Sequence, residues 1–195
     1  GDCKSLQVKS LNLSFFKEPM AMGVGQFIET ESEWNNPTPE SAADIVLRKV
    51  CSNVVRNDHL KKAVNALKSG DFETTLREWG VLAKQGDPGA HSNIGLMYLK
   101  GDGVAQDYKK AKQWFLKAAE LGQDEASFYL GIIYQHGLGV SKNIDKAVEW
   151  WTAAAEKGYA KAQSNLGMIY VNGESVKQDY KAALKWFLLA AEQER

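Results

Sequence analysis

The side chains that could do chemistry in this chain are few and far apart. Three histidines, His59, His91 and His136, would be the first candidates for metal binding or proton transfer. None has a second His, Cys or carboxylate at a ligand spacing such as HxxxH or CxxC, so each reads as a surface or capping residue and the chain carries no metal site. Two glycine-rich stretches, Gly101-Asp-Gly-Val104 and Gly137-Leu-Gly-Val140, look superficially like phosphate cradles. They lack the Lys-Ser/Thr that follows a phosphate loop and the strand that precedes one, and no cofactor is expected. No Gly-x-Ser-x-Gly, no Cys-His arrangement and no isolated carboxylate pair is present. The expected catalytic residues are none, and the chain reads as a non-enzyme.

The two cysteines, Cys3 and Cys51, are the disulfide candidates. Paired, they would staple an N-terminal segment onto a helix, and the chain-entropy model gives a loop of that length roughly 4 kcal/mol. Unpaired, they are two unrelated buried thiols. An even count, with a start at Gly1 that lacks a methionine and reads as a processed or cloned end, points to an oxidising compartment. The expected location is therefore periplasmic or secreted, with the cytoplasm as the alternative. Formal net charge is zero, with 24 basic and 24 acidic residues. No long-range field then favours nucleic acid or an anionic bilayer, and the apolar runs are too short for a membrane span.

The elements that carry these side chains repeat. Gly95, Gly131 and Gly167 are 36 positions apart, as are Ala90, Ala126 and Ala162, and Trp114, Trp150 and Trp186. A fixed period of this size marks a solenoid of units that bury an apolar face only by stacking. In each copy Ala, Leu or Ile, Gly and Tyr, as in Ala162, Leu166, Gly167 and Tyr170, share one face of a first helix. Gly101, Gly137 and Gly173 stop it where positive φ is needed. Asp107, Asn143 and Asp179 then cap a second helix starting at Tyr108, Ile144 and Tyr180. The glycines within the first helices each cost about 1 kcal/mol against Ala, so a close helix approach must offset them, with Trp114, Trp150 and Trp186 expected in the space beside them. Glu120, Glu156 and Glu192 are expected to accept hydrogen bonds from the amides of the neighbouring turns.

Before the repeats, Asp71, Phe72, Trp79 and Gly86 keep the register of a worn first hairpin, preceded by a helix around His59 to Lys68. Thr38, Pro39 and Glu40 open another helix running through Val54. The domain organisation expected is 1–38, a loop-rich extension with alternation like short strands; 39–89, N-terminal helices and the divergent hairpin; and 90–195, three hairpins. The array is expected to finish at its third copy, where Glu194 replaces Gly122 and Gly158. Either Leu188 and Leu189 are then partly exposed or another chain covers them, which would make a homodimer through the C-terminal helix.

The pattern LGxxY-x-x-G-x-G-V-x-x-D-x-x-x-A-x-x-W-x-x-x-A-A-E-x-G, carried by Ile94 to Gly122, Leu130 to Gly158 and Leu166 to Glu194, resembles the Sel-one-like (SLR) repeat family, a longer relative of the tetratricopeptide repeat. That resemblance implies an all-α fold, a right-handed superhelix of antiparallel helix hairpins following a short irregular or extended N-terminal segment. It also implies an adaptor or scaffold for protein partners in bacterial envelope, secretion or signalling systems. Ser175 departs from the pattern where Gly103 and Gly139 stand, suggesting a less tightly turned third loop. The cysteine-rich branch associated with penicillin binding has a cysteine pair in each repeat; this chain has none there, so that activity does not carry over.

Positions that packing leaves free should differ between copies. Asn93, Tyr129 and Asn165, with Lys100, His136 and Asn172, occupy such a stripe on the first helices. By the resemblance this is the concave side, and asparagines there could hold an extended peptide backbone. Met97, Ile133 and Ile169 share the stripe and are candidates for either groove or core. A protein or peptide partner is the leading expectation. A cell-wall or glycan-associated role, with muropeptide or β-lactam binding and the repeats as support, is the alternative; an oligomerisation module is the third.

Overall fold

A computed structural model describes residues 42–173 and 175–193. The proposed extension, the start of its helix at Thr38 to Glu40, and Cys3 lie outside the described residues. The chain divides into two compact units, Gly1–Asp58 and His59–Arg195. Described residues form eight helices and no strand. They are α1 (Ala42–Ser69), α2 (Phe72–Lys84), α3 (Pro88–Lys100), α4 (Tyr108–Glu120), α5 (Asp124–His136), α6 (Ile144–Glu156), α7 (Ala160–Asn172) and α8 (Tyr180–Ala191).

The first of these corrects one expectation. Residues read as the end of one helix and the start of another form a single helix of 28 residues. No Gly or Pro interrupts Ala42 to Ser69, and nothing else in that stretch forces a break. Gly70, at φ +76°, ends it.

The other boundaries follow the caps. The carboxylate of Asp107 accepts the Lys110 amide at 2.9 Å, Asn143 accepts Lys146 at 2.9 Å, and Asp179 accepts Lys181 and Ala182 at 2.9 and 3.0 Å. These bonds satisfy amides that the first helical turn leaves open. At the other end of α3, α5 and α7, Gly101, Gly137 and Gly173 adopt φ of +83°, +69° and +72°. The turns between hairpins close on the main chain, with the Gly122 amide on the Ala119 carbonyl and the Gln123 amide on that of Ala118. That leaves those turn amides already satisfied, and Glu120, Glu156 and Glu192 are exposed. The role assigned to these glutamates is thus taken by carbonyls of the preceding helix.

Hairpins α3/α4, α5/α6 and α7/α8 pack as pairs, and the cores lie mainly between one hairpin and the next. Ala111, Phe115 and Ala118 of α4 meet Ala126, Leu130 and Ile133 of α5. Ala147, Trp151, Ala154 and Ala155 of α6 meet Ala162, Leu166 and Ile169 of α7. Trp79, Leu82 and Ala83 of α2, with Ala63 of α1, meet Ala90, Ile94 and Met97 of α3. Hydrophobic burial holds such a stack, and each layer is shared only by neighbours.

Within each hairpin the glycine of the first helix lies under an aromatic ring of the second. A Cβ at Gly95 would stand 2.8 Å from Phe115, at Gly131 2.2 Å from Trp151, and at Gly167 2.6 Å from Phe187. The ring is therefore the residue after the repeated tryptophan. Phe115 and Trp151 are fully buried, whereas Trp114, Trp150 and Trp186 are half-buried one position along. Trp151 adds a buried hydrogen bond, its indole N–H donating to the Phe128 carbonyl at 3.1 Å.

The third loop does not relax. Ser175 takes φ +60°, close to the +69° of Gly103 and the +65° of Gly139. The turn is kept and the side chain bears the strain. Replacing Ser175 with Gly should raise stability by about 0.5–1 kcal/mol in urea melts, the relief of strain exceeding the entropy added to the unfolded chain. Gly131→Ala should lower stability by about 1–3 kcal/mol through overpacking. The same change at Gly80, whose Cβ would meet nothing within 4 Å, should raise it by about 0.5–1 kcal/mol. Equal effects at the two sites would refute the packing argument.

Candidate functional site on the first helices

The six predicted partner residues fall into two rows. Asn93, Tyr129 and Asn165 are half-buried on α3, α5 and α7; Lys100, His136 and Asn172 are exposed as the last residue of the same three helices. Between the rows, Met97, Ile133 and Ile169 are 4%, 0% and 2% exposed. They are core, and the open question about them closes in favour of packing. The strip is thus polar positions set on a buried apolar base.

Tyr129 is the most constrained of the six. Its ring stacks on Phe115 at 5.2 Å between centroids and meets Phe128 edge-on at 5.3 Å. Burial, helped by the charge of Glu125, raises its phenol above the ordinary value. Tyr159, just before α7, packs on Phe128 at 5.3 Å, and burial, then Glu125 and Tyr129, push it to about 12. Both hydroxyls stay protonated donors at neutral pH. Phe128 and Tyr159 went unnoticed as partners of Tyr129; the available signal was an aromatic residue at 159 where Asp87 and Gln123 precede the other first helices.

One repeat position is buried and polar in every copy: His91, Ser127 and Gln163 are 8%, 7% and 3% exposed. Gln163 donates to the Ala155 carbonyl at 3.0 Å. His91 bonds through Nδ1 to the Asp87 carbonyl at 2.8 Å, and its ring lies 5.5 Å from that of Trp114. Lys117 approaches the same Trp114 ring at 5.3 Å. His91 is therefore an interior residue and not a surface one.

His59 is different again. Its Nδ1 meets Glu78 Oε2 at 2.6 Å, tying α1 to α2, and Arg77 bonds the other Glu78 oxygen at 3.2 Å. The bond to His59 holds the Glu78 carboxyl below its ordinary value, opposed by burial and aided by Arg77. A pairing between residues this far apart in sequence has no periodic signal. Among the described residues, no group of three or more His, Cys, Asp or Glu is arranged to hold a metal, and no helix is long and apolar enough to cross a membrane. Cys51 is half-buried on α1.

The repeat boundaries decide the family. The model of the Sel1 repeat matches residues 88–123, 124–159 and 160–194, more than half of the chain and in step with the starts of α3, α5 and α7. The chain belongs to the Sel1 repeat family. Proteins built of Sel1 repeats generally act as non-catalytic scaffolds for protein–protein interaction. A second model, that of Surface-adhesin protein E, matches residues 1–52. Among solved structures, a Sel1 repeat protein from Oxalobacter formigenes is 39% identical with a TM-score of 0.63, over 67% of this chain and 54% of that one. A protective antigen present in uropathogenic Escherichia coli strains, displaying an SLR fold, is 40% identical with a TM-score of 0.59, over 62% of this chain and 26% of that one. The chain thus spans about half, and about a quarter, of these two relatives. No curated protein matches it.

The low Glu78 carboxyl gives a pH prediction with a definite sign. A carboxyl depressed in the folded state stabilises above its unfolded value of about 4.3, and that stability is lost as pH falls through the folded value. The urea midpoint of the wild type should therefore drop on acidification across this range more than that of Glu78→Gln. Parallel pH profiles would remove the assignment.

Proposed function

We propose that this chain is a non-enzymatic adaptor of the bacterial periplasm or cell surface, which holds a protein or peptide along the face of α3, α5 and α7. The observation that carries the reading is the row of half-buried Asn93, Tyr129 and Asn165 over the buried Met97, Ile133 and Ile169. A rigid apolar base supports polar groups, asparagine in two copies and tyrosine in the middle one. Asparagine side chains offer both a donor and an acceptor to an extended backbone, and Tyr129, immobilised between Phe115 and Phe128, loses little freedom on binding. Lys100, His136 and Asn172 form the exposed rim, where contacts tune partner choice more than strength.

The envelope location is supported by the likeness of residues 1–52 to Surface-adhesin protein E and of the repeats to a protective antigen. Pairing of Cys3 with Cys51 fits the same setting.

Crosslinking capture from the native envelope, followed by mass spectrometry, tests the reading. The double substitution Asn93→Ala and Asn165→Ala should weaken capture roughly ten- to thirtyfold, at about 1 kcal/mol for each lost set of hydrogen bonds. Its melting temperature should be unchanged within a few degrees. Undiminished capture, or binding of muropeptides or turnover of a β-lactam reporter in place of protein capture, would overturn the reading.

A further inference from the structure

Four residues that set the middle repeat apart come together in space. Glu125, Phe128 and Tyr129 on α5, with Tyr159 just before α7, stand where the preceding repeat has Gly89, Ser92, Asn93 and Gln123. The following copy has Lys161, Ser164 and Asn165 at the α5 positions. The pattern common to the repeats therefore asks for none of the four. Phe128 meets Tyr129 and Tyr159 at 5.3 Å between ring centroids in each case, and Tyr129 stacks in turn on Phe115 at 5.2 Å. Phe128 is buried and the two tyrosines are half-buried, so the cluster reaches solvent through its two phenols.

Glu125 adds a charge to the rings. It precedes Tyr129 by four residues and shares its face of α5. Burial first, and then the charge of Glu125, raise both phenols, so the carboxylate lies within electrostatic reach of both rings. The neighbouring Asp124 is paired with Lys157 at 3.0 Å, whereas Glu125, half-buried, makes no ion pair among the described residues. Its place in the first turn of α5 accounts for a negative charge but not for the rings gathered beside it. At other half-buried rings the chain supplies its own cation: Lys110 lies 5.3 Å from the Tyr98 ring, Lys117 5.3 Å from Trp114 and Lys146 5.4 Å from Tyr134. Among the described residues no lysine or arginine covers Tyr129 or Tyr159 in this way.

We infer that the cluster receives an arginine side chain of the bound partner, its guanidinium against the phenol rings and its charge opposed by Glu125. This rests on the reading of the face of α3, α5 and α7 as the partner groove and adds the partner's chemistry. Arginine fits the set better than lysine: the guanidinium is planar, stacks on aromatic rings, is less strongly hydrated than an ammonium, and its fork matches a carboxylate. The phenol oxygens offer further acceptors to its remaining N–H groups. Asn93 and Asn165, one repeat away on either side, have neither ring nor charge beside them, so the arginine fixes the register of an extended backbone along the strip.

The test is a titration of the full chain, followed by amide chemical shifts at fixed physiological salt, with the peptide acetyl-Gly-Ser-Arg-Ser-Gly-amide and its neutral citrulline counterpart. The arginine peptide should saturate at about 0.1–3 mM, as a single anchor does, with shifts centred on Glu125, Tyr129 and Tyr159. The citrulline peptide should bind roughly fivefold more weakly or worse, since it keeps the shape and loses the charge. Glu125→Gln should weaken the arginine peptide by a similar factor and leave the citrulline peptide unaffected, with the melting temperature held within a few degrees. Equal binding of the two peptides by the wild type, tighter binding of the lysine version, or shifts that leave Glu125 and Tyr159 untouched would each overturn the arginine site. These outcomes leave the groove itself standing, because its own test is capture by the Asn93→Ala and Asn165→Ala variant.

Discussion

The contact on which the rest depends is the seating of an aromatic ring on a glycine, repeated in each hairpin. Phe115 on Gly95, Trp151 on Gly131 and Phe187 on Gly167 let the two helices approach where any Cβ would collide. The glycine lowers helix propensity by about 1 kcal/mol, an amount small beside the burial of a whole aromatic side chain. Once that ring is seated, the alanines on either side of it, such as Ala111 and Ala118, are carried to the next hairpin, where Ala126, Leu130 and Ile133 complete the layer. Distance within a hairpin and contact between hairpins thus come from one residue pair.

This organisation separates two jobs along each first helix. One side is committed to packing, with Ile94, Leu130 and Leu166 nearly or fully buried. The other offers Asn93 and Asn165, half-buried polar side chains, and between them Tyr129, which packing against Phe115 and Phe128 holds in place. Between them the buried polar position of His91, Ser127 and Gln163 shows a third regime. It tolerates different side chains where a local acceptor is at hand, such as the Asp87 carbonyl for His91 and the Ala155 carbonyl for Gln163.

Most of the repeat architecture was legible in the sequence, because period, cap and turn are local or near-local signals. Helices α4, α6 and α8 begin at the residues their Asp or Asn caps predict. What was misread depended on information that a period does not carry. The second helices have paired aromatics, Trp114-Phe115, Trp150-Trp151 and Trp186-Phe187, and both members repeat, so spacing alone could not say which one meets the glycine. Ser175 keeps positive φ because the loop is determined at both ends, by the Gly173 cap and by Asp179, and a serine's preference is too weak to reopen it. The union of two expected helices into α1 reflects the absence of a breaker, which is a poorer signal than the presence of one. In the candidate strip, helix and exposure were readable, but the immobilisation of Tyr129 required knowing that Phe115 of the neighbouring hairpin lies beneath it.

The glycines in the loops have a wider consequence. Gly103 comes down on Phe72 and Gly139 on Tyr108, each close enough that a side chain would strike the start of the previous second helix. The step from one hairpin to the next is therefore gauged by backbone resting on backbone-proximal atoms. Side chains on the outward strip can change without altering that step. The array works as a ruler with fixed graduations and rewritable markings: new specificity can arise by substitution at Asn93 or Asn165, while the distance between the positions being read stays the same.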